Sequence, residues 1–185
     1  KRLDQFPQQL TDAVLSIEDE RFYGHYGLDP IAITRAIFVN LQSGEYAQGG
    51  STITQQLAKN LFLDPQRNLK RKIEEAYSAI LIETAFSKDQ ILGFYLNEVF
   101  LGQEGRFAIH GFGEAAKSFF GHEVEGLTLS ESAILAGMIQ APTKFSPRRF
   151  PEKAKERRDI VLAKMEQRGK ITSAERAAAE KEPIK

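Results

Sequence analysis

Residues 68–97 read NLKRKIEEAYSAILIETAFSKDQILGFYLN, and this stretch decides the fold class. Its first half repeats mostly apolar side chains every three to four residues, which is typical of one face of an α-helix; the positions are Ile73, Ala76, Tyr77, Ile80, Leu81 and Thr84. Ser87 and Gln90 have the spacing of a capping box, in which each side chain bonds the other residue's backbone N–H at a helix start. The stretch therefore predicts a long helix capped by Asn68 and a second helix to about Asn97.

Helical signals of the same kind occur along most of the chain. Further helices are predicted around Leu10–Ile17 (one apolar face), from Asp29-Pro30 to about Leu41, from Ser51 to about Phe62, from Glu114 to Phe120, from Thr128 to Ile139, from Glu152 to Arg168 and from Thr172. Residues 102–113 contain four glycines and are predicted to be a loop, and no run alternates as a strand does. We therefore predict an all-α domain of nine or ten helices.

Length and composition limit the classes of protein to which the chain can belong. At 185 residues, 42% hydrophobic and 27% charged, it is expected to form one domain, which can have two lobes. The formal net charge of zero argues against a nucleic-acid partner. The absence of cysteine excludes a disulfide scaffold, a cysteine nucleophile and thiolate metal sites. The longest apolar runs, residues 31–41 and 76–86, are too short and too interrupted to span a membrane.

The net charge of zero hides segments of opposite sign. Residues 1–58 carry −3, residues 59–72 carry +4, residues 73–143 carry −7 and residues 144–170 carry +6. A short cationic segment between two acidic ones predicts an anionic ligand. The +6 segment is explained equally by a solvated helix or by contact with anionic lipid headgroups.

The first candidate for catalysis is the acidic run Glu18-Asp19-Glu20, followed by Phe22 and His25. Glu18 directly follows the apolar face of the first helix, where partial burial favours a general base by raising a carboxyl pKa. The simpler interpretation is three acids on a solvated helix end, with His25 as a packing or capping residue. Spacing alone favours the simpler interpretation.

The second candidate is the stretch QGGSTITQQLAKN at residues 48–60. Glycines before a helix start can bind phosphate, since the free N–H groups and the helix dipole favour anions. It is not a P-loop, because no Gly-Lys-Ser/Thr follows. Ser51 is equally well explained as a helix N-cap, and Gln55, Gln56, Lys59 and Asn60 as the polar face of an ordinary helix.

The third candidate is the basic stretch RNLKRKIEE at residues 67–75. A phosphate clamp beside the carboxylate of Glu75 would consist of Lys59, Arg67, Arg71 and Lys72. The alternative is ion pairing along a helix surface, worth a few tenths of a kcal/mol per pair. Two separated carboxylates, Glu18 and Glu75, are the kind of pair that glycosyl chemistry uses.

Taken in order, these motifs resemble the peptidoglycan glycosyltransferase (transglycosylase) domain of class A penicillin-binding proteins and monofunctional transglycosylases, glycosyltransferase family 51. The resemblance covers roughly residues 10–165, and the GGSTITQQ stretch is its most specific part. The matching motifs are Glu18-Asp-x-x-Phe-x-x-His-x-Gly27, Gly49-Gly-Ser-Thr-Ile-Thr-Gln-Gln-Leu-x-Lys-Asn60, Arg71-Lys-x-x-Glu75, Ser87-Lys-x-x-Ile-Leu-x-x-Tyr-Leu-Asn97, Leu129-Ser-Glu-x-Ala133 and Ala141-Pro with Ser146-Pro147.

The resemblance implies a lysozyme-like helical fold, with a larger head lobe and a smaller, membrane-facing jaw lobe. Residues 26–66 match the jaw region of a single domain over residues 1–185. It implies polymerisation of lipid II into a growing glycan chain, with release of undecaprenyl diphosphate, on the outer face of the bacterial cytoplasmic membrane, and binding of moenomycin-type inhibitors. Because the chain begins at Lys1 rather than Met, we expect it to be part of a longer, membrane-anchored protein, with or without a C-terminal transpeptidase domain.

The resemblance also implies roles for single residues. Glu18 matches the catalytic base, which deprotonates the 4-hydroxyl of the acceptor GlcNAc as it attacks C1 of the donor MurNAc with inversion. Glu75 matches the second essential carboxylate, beside the diphosphate, where a divalent cation (Mg²⁺ or Mn²⁺) is one expectation. The substrate- and diphosphate-binding positions are Lys59, Arg67, Arg71, Lys72, Ser51, Thr52, Gln56 and Asn60, and the supporting positions are Asp19, Phe22, His25, Arg35 and Thr143.

Three features depart from the family pattern, and none of them affects Glu18 or Glu75. Gly93 stands where Glu is usual, Gln140 stands where Lys is common, and the segment 102–110 is longer than the commonest form. Two other functions stay open from the sequence. One is a lysozyme-like hydrolase or lytic transglycosylase, which cuts the same polymer but has no diphosphate to bind. The other is a non-catalytic module that binds the lipid carrier.

Overall fold

Helices make up 68% of the residues that the structure describes, so the prediction of a helical fold class is confirmed. The computed structural model describes residues 1–43, 49–62 and 69–184. The α-helices within these residues are α1 (Gln8–Glu18), α2 (Pro30–Ser43), α3 (Ile53–Phe62), α4 (Leu69–Ala85), α5 (Lys88–Glu98), α6 (Gly111–Phe120), α7 (Leu129–Met138), α8 (Pro151–Gln167) and α9 (Ser173–Lys181). None of the helices in this described part of the chain is long and apolar enough to cross a membrane.

The chain divides into two compact units, which are described separately. The first unit consists of Lys1–Glu20 and Leu96–Lys185, and the second unit is Arg21–Tyr95. The predicted jaw region, residues 26–66, lies within the second unit.

The core of the first unit is built around α7, which packs against α1 and α8, while α9 packs on α8. The apolar face predicted for α1 is buried at Leu10, Ala13 and Val14, which are fully inaccessible to solvent. Gly137 lets α7 and α8 approach closely, because a Cβ at this position would lie 2.9 Å from Cγ of Arg157 on α8. A larger residue at position 137 would therefore force α7 and α8 apart or displace Arg157.

The second unit is organised by the packing of α3 on α4. Ile53, Leu57 and Ala58 of α3 and Ala79 of α4 are buried. The loop before α2 passes directly over α4 at Gly27, whose φ is +83° and whose Cβ, if present, would lie 3.0 Å from the Ala79 backbone. Both the positive φ and the close approach require glycine at this position.

The prediction of a loop over residues 102–113 is wrong. Strands β1 (Phe100–Glu104) and β2 (Phe107–His110) form an antiparallel hairpin, in which Glu104 is opposite Phe107, and α6 begins directly after it. The sequence hides these strands because they are short and mostly exposed, so they lack an alternating apolar pattern.

Most predicted helix starts are confirmed, but the cap of α3 is not Ser51. The observed capping box joins Thr52 and Gln55: the Thr52 hydroxyl accepts from the Gln55 N–H (3.1 Å), and the Gln55 side chain accepts from the Thr52 N–H (3.0 Å). A capping box requires a Glu or Gln three residues after the cap, which Thr52 has and Ser51 does not. The cap predicted at Asn68 lies outside the described residues.

Candidate active site

Glu18 is the last residue of α1 and is half-buried in the first unit. Asp19, the next residue, is 7% exposed, and Glu20 forms an ion pair with Arg168. The burial of Asp19 and the pairing of Glu20 contradict the interpretation of this run as three acids on a solvated helix end. Glu18 therefore lies at a structured position, where a carboxylate can be held in one orientation.

The start of α3 is fixed to the loop that contains Gly27. The Thr52 hydroxyl donates a hydrogen bond to the Gly27 carbonyl (2.6 Å) while it caps α3, and Thr52 is buried. The hydroxyl of Thr52 is thus engaged within the fold. Ser51, one residue earlier and partly exposed, presents its hydroxyl to a different partner.

That partner is Lys72 on α4, which also binds Glu75. The Lys72 ammonium donates to the Ser51 hydroxyl (2.8 Å) and to the Glu75 carboxylate (2.5 Å). The Glu75 side chain is 4% exposed, whereas that of Lys72 is 47% exposed. The burial of Glu75 distinguishes this interaction from an ordinary surface ion pair, in which both charged groups are exposed to water. We refer to Ser51, Lys72 and Glu75 as the Lys72 cluster.

The remaining predicted binding residues of the second unit differ in exposure. Lys59 in the last turn of α3 and Arg71 in the first turn of α4 are half-buried, and Asn60 is exposed. The side chain of Gln56 accepts a hydrogen bond from the hydroxyl of Tyr95 (2.9 Å). Arg67 lies outside the described residues. The structure thus places Lys59 on α3 and Arg71, Lys72 and Glu75 on α4, and these two helices pack together.

The supporting residues of the second unit are mainly structural. Phe22 is buried beneath the Lys88 ammonium, which lies 4.3 Å from the ring centroid, and His25 is buried. Arg35 is exposed on α2. These contacts fix the segment that follows Glu20 in the sequence.

Asp29 caps α2, as predicted, and is also bound by Arg21. Its carboxylate accepts hydrogen bonds from the Ala32 N–H (2.9 Å) and from the Arg21 guanidinium. Burial acts to raise the pKa of Asp29, but the hydrogen bonds from Arg21 and Ala32 outweigh it and hold the pKa below its ordinary value.

Thr143 lines a cavity of about 400 Å³ in the first unit. The β1–β2 hairpin forms one wall, and the segment after α7 forms another. Across it, Arg148 forms an ion pair with Glu104 (2.5 Å), and Glu104 accepts a hydrogen bond from Ser118 (2.7 Å). This network was not predicted from the sequence, because the hairpin residues were expected to form a loop.

A second missed network holds α3, α4 and α5 together. The buried carboxylate of Glu83 accepts hydrogen bonds from the Thr54 hydroxyl (2.6 Å) and the Lys88 ammonium (2.7 Å). The signal was present, since Glu83 interrupts an apolar stretch of α4. A charged residue in such a stretch predicts a buried partner.

Asp29 is buried and belongs to a residue type that ligates metal ions. The contacts of Asp29 count against this use, because both of its oxygens are engaged by Arg21 and one of them also by the Ala32 N–H. A metal at Asp29 would have to displace a guanidinium.

The transglycosylase family profile matches residues 1–166. The chain belongs to this family. Penicillin-binding protein 1B of Vibrio cholerae is 50% identical over 183 residues, which are 99% of this chain and 24% of that protein. Penicillin-binding protein 1A of Escherichia coli is 48% identical over 170 residues, 92% of this chain and 20% of that protein. A crystal structure of penicillin-binding protein 1A from Haemophilus influenzae matches with a TM-score of 0.59 at 28% identity, over 100% of this chain and 17% of that one.

These comparisons confirm the expected family, the transglycosylase domain of class A penicillin-binding proteins. The domain is a peptidoglycan glycosyltransferase by family, and its relatives imply a location in the cell envelope. The chain spans about a quarter or less of the relatives' length.

Proposed function

We propose that this transglycosylase domain polymerises lipid II by inverting glycosyl transfer, with release of undecaprenyl diphosphate. The observation that carries the proposal is the Lys72 cluster, together with Lys59 and Arg71 on the adjoining helices. A transferase with a diphosphate leaving group needs fixed cations where negative charge develops. A hydrolase of the finished polymer has no such group to bind.

In this mechanism Glu18 is the general base. Its carboxylate takes the proton from the 4-hydroxyl of the acceptor GlcNAc while that oxygen forms a bond to C1 of the donor MurNAc. The bond from C1 to the diphosphate oxygen breaks, and its electron pair leaves with undecaprenyl diphosphate. The half-buried position of Glu18 supports this role, because a base acts efficiently when its carboxylate is fixed and only partly hydrated.

The leaving diphosphate is assigned to the cations of the second unit. Lys72 is half-exposed although it is bound to a buried carboxylate, so its ammonium is oriented by Glu75 while a face of it stays accessible. Glu75 acts here by fixing Lys72, and Ser51 contributes a hydroxyl. Preorganised charge of this kind stabilises a developing anion without reorganisation during the reaction.

A divalent cation at the diphosphate fits the residues in one way. Glu75 is the carboxylate of the cluster, and Mg²⁺ is often bound through one carboxylate together with substrate phosphates. Such an ion would add positive charge at the leaving group.

Exposed apolar side chains of the second unit support contact of the predicted jaw region, residues 26–66, with the membrane surface. Large apolar residues of α2 and α3 are 56–77% exposed; they are Ile31, Ile37, Phe38, Leu41 and Phe62. Large exposed apolar side chains of this kind favour a membrane or protein contact over a fully solvated surface. We assign this surface to contact with the outer face of the cytoplasmic membrane, where lipid II is anchored. We also propose that the domain binds moenomycin-type inhibitors and that a C-terminal transpeptidase domain belongs to the full-length protein.

The test is polymerisation of lipid II by the purified full-length protein, with and without moenomycin. Glu18→Gln is expected to lower kcat by at least about a hundredfold while the protein stays folded, because the general base is lost. Glu75→Gln is expected to reduce activity through Lys72. The matched control is Glu156→Gln on the exposed face of α8, which should retain activity. Undiminished polymerisation by Glu18→Gln would refute the assignment, and release of soluble muropeptides from cell wall would favour the hydrolase.

A further inference from the structure

The cavity of about 400 Å³ in the first unit has walls from three different parts of the chain. They are the β1–β2 hairpin, the end of α6 and the segment after α7. Ile109, Phe119 and Pro142 give it an apolar part, and its volume is in the range of small-molecule sites. Among the described residues, its lining includes neither Glu18 nor a member of the Lys72 cluster, so the proposed mechanism leaves this cavity unused.

Arg148 connects the three walls to one another. Its guanidinium forms an ion pair with Glu104 of the hairpin (2.5 Å) and donates to the backbone carbonyl of Ser118 in α6. The Ser118 hydroxyl donates to the other oxygen of Glu104 (2.7 Å), and the guanidinium carbon of Arg148 lies 5.6 Å from the ring centroid of Phe119. These bonds hold the cavity in shape before a ligand arrives, which lowers the free-energy cost of binding.

Four polar side chains that line the cavity have no hydrogen bond or ion pair with any residue that the structure describes. They belong to Gln103, Thr143, Ser146 and Arg149. Ser146 is only 9% exposed, so its hydroxyl is largely removed from bulk water. Because buried polar groups in native proteins nearly always have a hydrogen-bond partner, the partner of this hydroxyl is expected to be a molecule in the cavity.

Arg149 gives the cavity a net positive charge, because the charge of Arg148 is already balanced by Glu104. An arginine stays protonated in a protein, and its planar guanidinium can bind a carboxylate through two parallel hydrogen bonds. The hydroxyl and amide groups of the other three unbonded side chains both donate and accept, which suits the hydroxyl and acetamido groups of a sugar. The cavity therefore fits a ligand that combines an anionic group with a sugar ring.

We propose that this cavity binds an acidic saccharide, namely a sugar unit of a glycan strand whose substituent carries a carboxylate. This proposal rests on the proposed function, since a glycan strand that has lost its diphosphate keeps carboxylates as its anionic groups. The carboxylate can belong to the lactyl group of MurNAc or to a peptide attached to that group. The guanidinium of Arg149 is the carboxylate-binding group in both cases.

The test is calorimetric titration of the full-length protein with soluble saccharides, in the presence of a β-lactam that occupies the proposed transpeptidase domain. Two acidic probes distinguish the sources of the carboxylate: GlcNAc–MurNAc has a free lactyl carboxylate, and GlcNAc–MurNAc–L-Ala–D-Glu has its carboxylates on the peptide. GlcNAc–GlcNAc is the matched neutral probe, because it differs from GlcNAc–MurNAc by the lactyl group alone. At least one acidic probe is expected to bind about tenfold more tightly than the neutral probe.

Arg149→Gln is expected to weaken binding of that acidic probe about tenfold and to change binding of the neutral probe by about twofold or less. Arg149 is exposed, so this substitution is compatible with the fold. The matched control is Arg106→Gln, because Arg106 is an exposed arginine in the turn of the same hairpin but does not line the cavity. Lys72→Gln should also leave the affinity for the acidic probe unchanged, because the cavity does not use the Lys72 cluster.

The proposal is overturned if neither acidic probe binds, if the neutral probe binds as tightly, or if Arg149→Gln keeps the wild-type affinity. An equal loss of affinity in Arg106→Gln or in Lys72→Gln also overturns it, because binding then depends on general charge or on the catalytic groups. Lipid II polymerisation by the same samples separates this proposal from the proposed function. An active wild type that does not bind the acidic probes overturns the saccharide site alone, whereas an inactive wild type overturns the proposed function.

Discussion

Arg158 is fully buried and connects α8 to the end of the chain's last helix. Its Nη1 and Nη2 donate to the backbone carbonyls of Glu182 and Glu180, each at 2.7 Å, and Nη1 also donates to the Ser130 hydroxyl (3.2 Å). Carbonyls at the C-terminal end of a helix have no partner within the helix, so the guanidinium supplies the bonds that α9 itself cannot. Arg158→Met should therefore destabilise the domain.

The magnitude follows from the bonds lost. The two hydrogen bonds to backbone carbonyls are worth about 1.5–3 kcal/mol each, and the bonds to Ser130 and to half-buried Asp159 add to them. Release from burying a guanidinium returns part of the sum, so the expected loss is about 3 kcal/mol. Met keeps most of the apolar stem of Arg158, which limits the cavity contribution. For a chain of this size such a loss corresponds to a fall in Tm of about 6–12 °C.

Thermal unfolding measures the fall in Tm, and amide hydrogen exchange locates it. Exchange should accelerate most in α9, because its end is released first. Arg176→Gln is the control, since Arg176 is partly exposed and pairs with surface acids. A fall in Tm of less than about 2 °C for Arg158→Met, with unchanged exchange in α9, would refute the account, because the carbonyls would then be satisfied without the guanidinium.

Two further predictions concern the second unit. Gly27→Ala should lower the free energy of unfolding in urea by about 2–4 kcal/mol, because it combines an unfavourable positive φ with a 3.0 Å contact to the Ala79 backbone. The control is Gly24→Ala, which should cost much less because a Cβ there would have open space. Equal losses in the two variants would contradict the role of Gly27. Asp29→Asn should lower the free energy of unfolding at neutral pH, and the difference in that free energy between variant and wild type should shrink as pH falls below about 4. The reason is that the pKa of Asp29 is depressed in the folded protein, so the carboxylate loses its stabilising effect as it is protonated. A constant difference across that range in urea unfolding would show that Asp29 acts through packing instead of charge.

Helix positions were predictable where local chemistry decides them. The capping boxes at Ser87, Thr128 and Thr172 are each a four-residue pattern that satisfies its own backbone, and each was found from sequence. The cap at Thr52 was not predicted, although its partner Gln55 is in the same motif. Ser51 directly follows the two glycines, so it was taken as the N-cap of α3. The hairpin was missed because exposed, glycine-containing strands depend on their partner strand rather than on a local pattern.

For the candidate residues, the sequence could indicate neighbours along a helix but not burial or long-range contacts. Sequence spacing paired Lys72 with Glu75, yet it could not show that the Glu75 side chain is almost fully buried. Because Glu75 is buried, it holds the Lys72 ammonium in one orientation, which an exposed ion pair would not do. Spacing also cannot bring Arg168 to Glu20, since about 150 residues separate them and only the packing of α8 on α1 brings their chain segments together. Long-range pairs of this kind are the part of the site that sequence reasoning leaves out.

The +6 charge of residues 144–170 shows why net charge along a sequence differs from charge at a surface. Several of its cations are used inside the first unit, because Arg148 binds Glu104, Arg168 binds Glu20 and Lys170 binds Asp12. Arg158 is buried against backbone carbonyls. The three ion pairs neutralise acids from the other charge segments and so account for half of the +6. Folding thus places part of the basic segment around α1, where it balances the acids beside Glu18, and the cations on α3 and α4 remain the better candidates for an anionic substrate.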